Sequence, residues 1–222
     1  MLKNIIALII TVIFLQQCSE NITSVNNGGG ASETIATVKS SFDSIVVEVS
    51  SEKEFSVEAV VCINNYSIVD SLGFHKKRIM SGKSDKWIIS QLKSGSYNII
   101  LHDMSKNNAA IFQNVYTGTI NNENYYEIKK VGQTGSVSGF LLEKLSGDNY
   151  QPIANGIVFI NGTQLSATTE NDGSYQINNV PEGNYTVGAR KTSQKYNSSN
   201  VNHFVKVSGD SISAIDIIFT QP

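Results

Sequence analysis

One pattern is written twice in this chain. "WIISQLKSGSYNI", Trp87 to Ile99, returns as "YQINNVPEGNYTV", Tyr175 to Val187, 88 residues later and without a gap. Ile89/Ile177, Gly95/Gly183 and Tyr97/Tyr185 are identical, while Trp87/Tyr175, Leu92/Val180 and Ile99/Val187 conserve size. A repeat of this kind means that one supersecondary unit is used twice. In each copy alternate apolar residues run along a strand, and the chain reverses through Leu92–Gly95 or Val180–Gly183. A return strand then opens at the tyrosine. The quartets suit a type I turn, with Pro181 at the second position and glycine at the fourth. A buried tyrosine just beyond such a corner pins it when its hydroxyl bonds nearby backbone.

Period-two alternation extends well outside the repeat. Ile45, Val47 and Val49, then Phe55, Val57, Ala59, Val61 and Ile63, put apolar groups on one face of successive strands. No helical period of useful length competes with it. Short strands separated by Gly, Asn and Ser clusters, with only three prolines, predict an all-β fold of sandwich type. The repeat divides it into two tandem sandwiches, residues 38–131 and 132–222, with the seam in "KKVGQTGSVSG", where Gly132, Gly135 and Gly139 punctuate the chain.

The second copy resembles a known family. "GSVSG" opens its first strand, "QPIANGIVFING" supplies the next, and "TTENDGSYQINNVPEGNYTV" follows, with Asp172, Gly173, Tyr175, Gly183 and Tyr185 at the signature positions. These runs resemble the carboxypeptidase regulatory-like domain, which implies a transthyretin-like, Ig-like β-sandwich for this half. The first copy keeps Trp87, Gly95 and Tyr97 but has "SGKSDKW" where the acidic-glycine turn should stand. For it a bacterial Ig or collagen-adhesin B-type sandwich is the rival expectation.

The N-terminus supplies an address. "MLKNIIALIITVIFLQQC" has one lysine and an apolar run from Ile5 to Leu15, broken only by Thr11, before Cys18. That is a signal-peptide layout, and too short a run to span a bilayer comfortably. "LQQC" resembles the lipobox of bacterial lipoproteins, which implies residues 1–17 as signal peptide and Cys18 as the lipidated residue. Gln17 stands where that family prefers a small residue, so cleavage by an ordinary signal peptidase is the rival. Ser19 in place of Asp implies, by the same resemblance, the outer membrane rather than the inner one. Residues 18–37, rich in Ser, Asn and Gly, read as a flexible tether behind the lipid. Multiple acyl chains would hold the protein on the membrane. Cys62, in "FSVEAVVCIN", is expected as a buried free thiol.

The chemistry-bearing residues do not assemble into a catalytic motif. His75, His102 and His203 stand in separate segments, and neither metal-ligand spacing, a nucleophile elbow nor a phosphate-cradling loop occurs. The regulatory-like family is itself an accessory to catalytic domains, so a non-enzyme with no cofactor or metal is expected. A net charge of −2 without single-sign blocks gives no footprint for nucleic acid. "TENDGSY" supplies too few oxygens for calcium and reads as a tight turn, Asp172-Gly173 being a hairpin signal. Lys76, Lys77, Arg78, Lys83 and Lys86 read as a solvated or edge-protecting cluster, with acidic lipid or polysaccharide as the rival.

Aromatics offer the best binding hypothesis. Phe74, Tyr116, Tyr125 and Tyr126, with Tyr66 and Phe112, concentrate in the first half, and exposed rings among them would stack on sugars or anchor a protein partner. The expectation is a non-catalytic, lipid-anchored surface or periplasmic module that binds glycan or protein or acts structurally. An accessory or assembly subunit of a secreted enzyme or outer-membrane transport complex is the alternative.

Overall fold

The computed structural model describes residues 33–64, 74–118, 126–191 and 203–220, with Phe74, His75 and Tyr126 described by backbone alone. The signal peptide, Cys18, the tether up to residue 32, Tyr66 and Tyr125 lie outside the described residues. Every regular element described is a strand. The tether expected to run to residue 37 gives way earlier, because β1 (Thr34–Ser40) already pairs from Thr34. Ala36 and Val38 supply the buried face that recruits it.

The first half is built around two long strands, β2 (Ile45–Ile63) and β3 (Phe74–Ile89), antiparallel along most of their length. Their register shifts between Ser50 and Phe55, where β2 carries extra residues against Gly82–Ser84. A bulge of this kind bends a strand and sharpens its twist, so β2 serves two layers. Its first part pairs with β1, which pairs in turn with β6 (Tyr126–Lys130). Its last part pairs with β4 (Gly95–Asp103), followed by β5 (Asn108–Thr117) and the short β7 (Gly132–Gln133). The two layers enclose one core that runs from Ala36 and Val38 through Ile45, Val57, Met80 and Trp87 to Tyr97, Ile99 and Phe112. Lys129 of β6 donates to the carbonyl of Ile111 in β5 (2.7 Å) and so ties the layers along their open side.

The second half is a sandwich of separate sheets. One holds β11 (Ser166–Thr168), β10 (Ile157–Ile160), β13 (Gly183–Arg190) and β14 (His203–Val207). The other is centred on β8 (Gly135–Lys144), which pairs with β12 (Ser174–Val180), β9 (Tyr150–Pro152), β15 (Ile212–Ala214) and β16 (Ile217–Thr220). Between them lies a core of Val137, Leu141, Val158, Tyr175, Ile177, Tyr185, Val187 and Ile217.

The repeat now has a structural reason. The five apolar positions of each copy, Trp87, Ile89, Leu92, Tyr97 and Ile99 and their counterparts Tyr175, Ile177, Val180, Tyr185 and Val187, are all buried. The chain does turn back at the corner, but the strands on its two sides do not pair with each other. The last part of β3, Ser84–Ile89, pairs with the first part of β2 and so lies in a different layer of the first sandwich from β4, and β12 and β13 lie in different sheets of the second. The motif carries the chain from one face of a core to the other, so both of its strands must present apolar groups inward. Each sandwich needs one such crossing, which is why the pattern occurs in both. The same holds for Asp172-Gly173: the turn is tight, with Glu170 and Ser174 bonded across it, but it joins β11 to β12 between sheets and forms no hairpin.

Candidate functional site

The two corners are locked alike. The Tyr97 hydroxyl donates to the carbonyl of Lys93, and the Tyr185 hydroxyl to the carbonyl of Pro181, each at 2.7 Å and each four residues back. Burial pushes both phenols above their ordinary pKa, so both remain protonated donors. Tyr175 is held in the same manner, donating to Ile215 (2.6 Å).

These corners set the ends of the sandwiches, and the seam between the halves follows from them. β4 and β5 alternate like the other strands, but both of their faces are buried. Tyr97, Ile99, Leu101 and Phe112 point into the first core, whereas Ile100 and Ile111 join the second. A strand covered on both sides reads as a continuous apolar run, which is what "YNIIL" and "AAIF" are. The turn and corner end of the second sandwich therefore rests on the outer face of β4 and β5. Gly162 at that end is so close that a Cβ on it would lie 2.3 Å from the Asn64 carbonyl oxygen.

Within the seam sits a knot of amides. Asn98, 1% exposed in the middle of β4, donates to the Asn64 side chain (3.1 Å) and to the Gly162 carbonyl (3.0 Å), and accepts from the Asn114 backbone (3.1 Å). Asn64 in turn donates to Ser96 (3.2 Å) and to the Asn114 side chain. A buried amide costs free energy unless its groups are paired, and here they are, across both halves. Around this knot opens a cleft of about 280 Å3 lined by Asn64, Asn98, Gln113, Asn161, Asn184, Tyr185 and Thr186. Gln113 spans it by donating to the Asn184 carbonyl (3.1 Å).

Of the four aromatic residues expected to bind, Tyr116 is the one whose side chain is described. It is 52% exposed, on the opposite face of β5 from buried Val115 and Thr117, and paired with Ser96 of the amide knot. Phe74 opens β3 opposite Cys62, and Tyr126 opens β6 opposite Lys39, in the other layer. Both strand positions lie at the same end of the sandwich as Tyr116, although Phe74 and Tyr116 stand about 14 Å apart, three strand spacings. Tyr125 falls outside the described residues. Phe112, counted with the aromatics, is core. Trp87, Gly95, Gly173, Tyr175 and Gly183 belong to the architecture of the corners and turns.

Other candidate groups are quiet. Cys62 is fully buried in β2, and burial pushes its thiol up to about 12, so it is no nucleophile at neutral pH. Lys77, Arg78 and Lys86 lie on β3, which among the described residues pairs only with β2, and are matched to Glu58, Asp85 and Glu48 at 3.2, 3.0 and 2.8 Å. Exposed pairs of this sort contribute little stability and suit the protection of an edge strand. Asp172 accepts from the Ser174 backbone (2.9 Å), and its hydrogen bonds to Ser174 hold its carboxyl below the usual range. Among the described residues no group of three His, Cys, Asp or Glu side chains is placed to hold a metal.

Comparison with known proteins gives a family at one end of the chain. The family model described as a prealbumin-like fold domain, SpaA, matches residues 124–219. The match begins ahead of Gly132 and takes in β6 and β7, which pair into the first sheet. A chain of a type II cohesin–X–dockerin complex from Acetivibrio cellulolyticus is similar at 26% identity, over 38% of this chain and 56% of that one, with a TM-score of 0.30. This chain thus spans only about half of that structure. The minor pilin of Streptococcus agalactiae is similar at 12% identity over 76% of this chain and 84% of that one, with a TM-score of 0.39. The major pilin subunit of Bacillus cereus gives 11% identity, coverages of 91% and 76%, and a TM-score of 0.29. No curated protein matches. The chain is therefore an all-β protein whose residues 124–219 match the model of a prealbumin-like fold domain.

Proposed function

We propose that this protein is a non-catalytic bacterial surface module, anchored by a lipid on Cys18 at the outer membrane, that presents a binding face to a glycan or a protein. On this reading residues 132–222 form a carboxypeptidase regulatory-like version of the prealbumin fold. The run from Thr168 to Val187 supports it.

The observation that carries the reading is the placement of Tyr116. β1 enters the first sandwich beside Ser51 and Val131, and Tyr116 lies at the opposite end, near the turn that joins β1 to β2 and the Tyr97 corner. Seven residues of β1 separate the two ends, about 23 Å at strand rise. A chain tethered through its N-terminus would hold this aromatic and amide-rich end away from the attachment point. The polar side chains of the adjoining knot, Asn64, Ser96, Asn98 and Asn114, are amides and a hydroxyl, which can recognise and position a ligand by hydrogen bonding.

The test is the intact mass of the protein extracted from membranes, beside a Cys18→Ala variant. The reading predicts a chain that begins at Cys18 and carries added acyl chains, and a variant that lacks them. An unacylated product cut elsewhere would overturn the anchoring.

A further inference from the structure

We propose that the amide-lined cleft between the two sandwiches is a binding site for a neutral oligosaccharide, with Tyr116 as the stacking platform beside it. The inference rests on the reading of the chain as a non-catalytic surface module and names the ligand class.

The lining of the cleft is uncharged. The cleft is lined by Asn64, Asn98, Gln113, Asn161, Asn184, Tyr185 and Thr186, none of which carries a formal charge at neutral pH. Among the described lining residues a phosphate, an acidic polymer or a cation would meet no countercharge, Lys206, the cross-strand partner of Asn184, standing outside the lining, so the desolvation of a charged group within the cleft would go uncompensated. A neutral ligand suffers no such penalty.

The amides of the cleft divide into two groups. Asn64 and Asn98 spend their hydrogen-bonding groups on one another and on the knot that joins the halves. They form a fixed floor. Asn161 and Asn184 differ, since among the described residues their side-chain amides make no hydrogen bond, nor does the Thr186 hydroxyl. Each free amide offers donors and an acceptor within a short span, which matches the adjacent hydroxyls of a pyranose. The floor is already ordered before any ligand arrives, so little side-chain freedom remains to be lost on binding.

The cleft is small and has an aromatic flank. About 280 Å3 falls just below the usual range of ligand sites, which begins near 300 Å3. That suits one or two sugar rings, with the rest of an oligosaccharide continuing along the surface. Ser96, the partner of Tyr116 across the β4–β5 pair, accepts from Asn64 at the edge of the knot. An exposed phenol there offers its apolar face to the next ring.

The experiment is calorimetric titration of the detergent-solubilised full chain with cellohexaose, chitohexaose, maltohexaose, laminarihexaose and mannohexaose, with polygalacturonate as the acidic comparison. The proposal predicts saturable binding of at least one neutral hexasaccharide. The Asn161→Ala/Asn184→Ala double variant should lower its affinity about ten-fold or more, as expected for lost ligand hydrogen bonds, without moving the urea midpoint. Tyr116→Ala should weaken it as well. Absence of binding by every neutral hexasaccharide at millimolar concentration would overturn the proposal. So would equal affinity in the double variant, or preference for polygalacturonate. These outcomes leave the acylation result untouched, so the ligand class and the anchoring fail or stand separately.

Discussion

Removing a single oxygen from each corner tyrosine should cost unequal amounts, and the structure says which costs more. Tyr185 is 4% exposed, and its hydroxyl donates to the Pro181 carbonyl in a buried setting. Tyr185→Phe removes the bond and leaves that carbonyl without its donor and shut off from water. A lost hydrogen bond of ordinary strength with a stranded buried acceptor costs about 2 kcal/mol. At Tyr97 the same acceptor position, the Lys93 carbonyl, also receives the Thr117 hydroxyl at 2.7 Å, and Lys93 is exposed. Tyr97→Phe also removes the hydroxyl's contact with Thr117, but the Lys93 carbonyl keeps the Thr117 donor and Thr117 keeps its carbonyl acceptors, so the change should cost about 0.5–1 kcal/mol. With a urea slope of about 2 kcal/mol/M, the midpoints should fall by about 1 M for Tyr185→Phe and about 0.4 M for Tyr97→Phe. Urea unfolding followed by far-UV circular dichroism measures both. A Tyr97→Phe cost equal to or above that of Tyr185→Phe would refute the reasoning, as would a neutral Tyr185→Phe.

Two further perturbations probe the seam. Gly162 has φ +71° and a Cβ there would approach the Asn64 oxygen to 2.3 Å and the Asn98 amide nitrogen to 2.5 Å, whereas Gly147, at φ +72°, has open space around it. Gly162→Ala should therefore cost at least about 2 kcal/mol more than Gly147→Ala and expose the seam to protease; equal midpoints for the two variants would contradict the close approach. His102, opposite Glu58 on β2, has its pKa lowered chiefly by burial, with the Glu58 charge acting in the other direction. The folded state then binds the proton less readily than the unfolded chain, so His102's contribution is complete above about pH 6.5 and is lost as pH falls toward its folded-state pKa. His102→Gln should flatten the difference between urea midpoints at pH 7.5 and pH 5, and a wild type that gains on the variant upon acidification would contradict the sign.

Much of this architecture was legible because the pleat leaves a strict signature. The alternation marked the inward residues of β2 on both sides of its bulge, and Ile45, Val47, Val49, Phe55, Val57, Ala59 and Val61 are all buried, whereas Ile63, read as inward with them, is exposed at the strand's last position, where the core ends. The doubled motif marked both corner tyrosines. What alternation cannot say is which strands pair, and so the corners read as reversals when they are crossings between layers. Nor does it separate one long bent strand from two short ones, since the bulge at 51–54 interrupts the apolar pattern just as a turn would. The seam was the larger omission. "YNIIL" and "AAIF" carry the mark of burial on two faces, but Ile100 and Ile111 point to the second core only once β4 and β5 are known to be interior to the pair. Asn98 was hidden for the same reason: an asparagine inside an apolar run reads as a surface residue until a second half is found against it. Aromatic content identified Tyr116 but equally favoured Phe112, because ring count does not tell inward from outward, and the bulge at Asn114 shifts the alternation between them.

The account turns on the two sandwiches forming one body through the outer face of β4 and β5, since the cleft exists only if they do. The most direct measurement is urea unfolding monitored at once by Trp87 fluorescence and by far-UV circular dichroism. Trp87 is the only tryptophan and lies in the first core, whereas the circular dichroism signal reports strands of both halves. One body predicts coincident transitions with a single midpoint. A fluorescence transition that separates from the circular dichroism curve would show the halves unfolding independently and would contradict the claim.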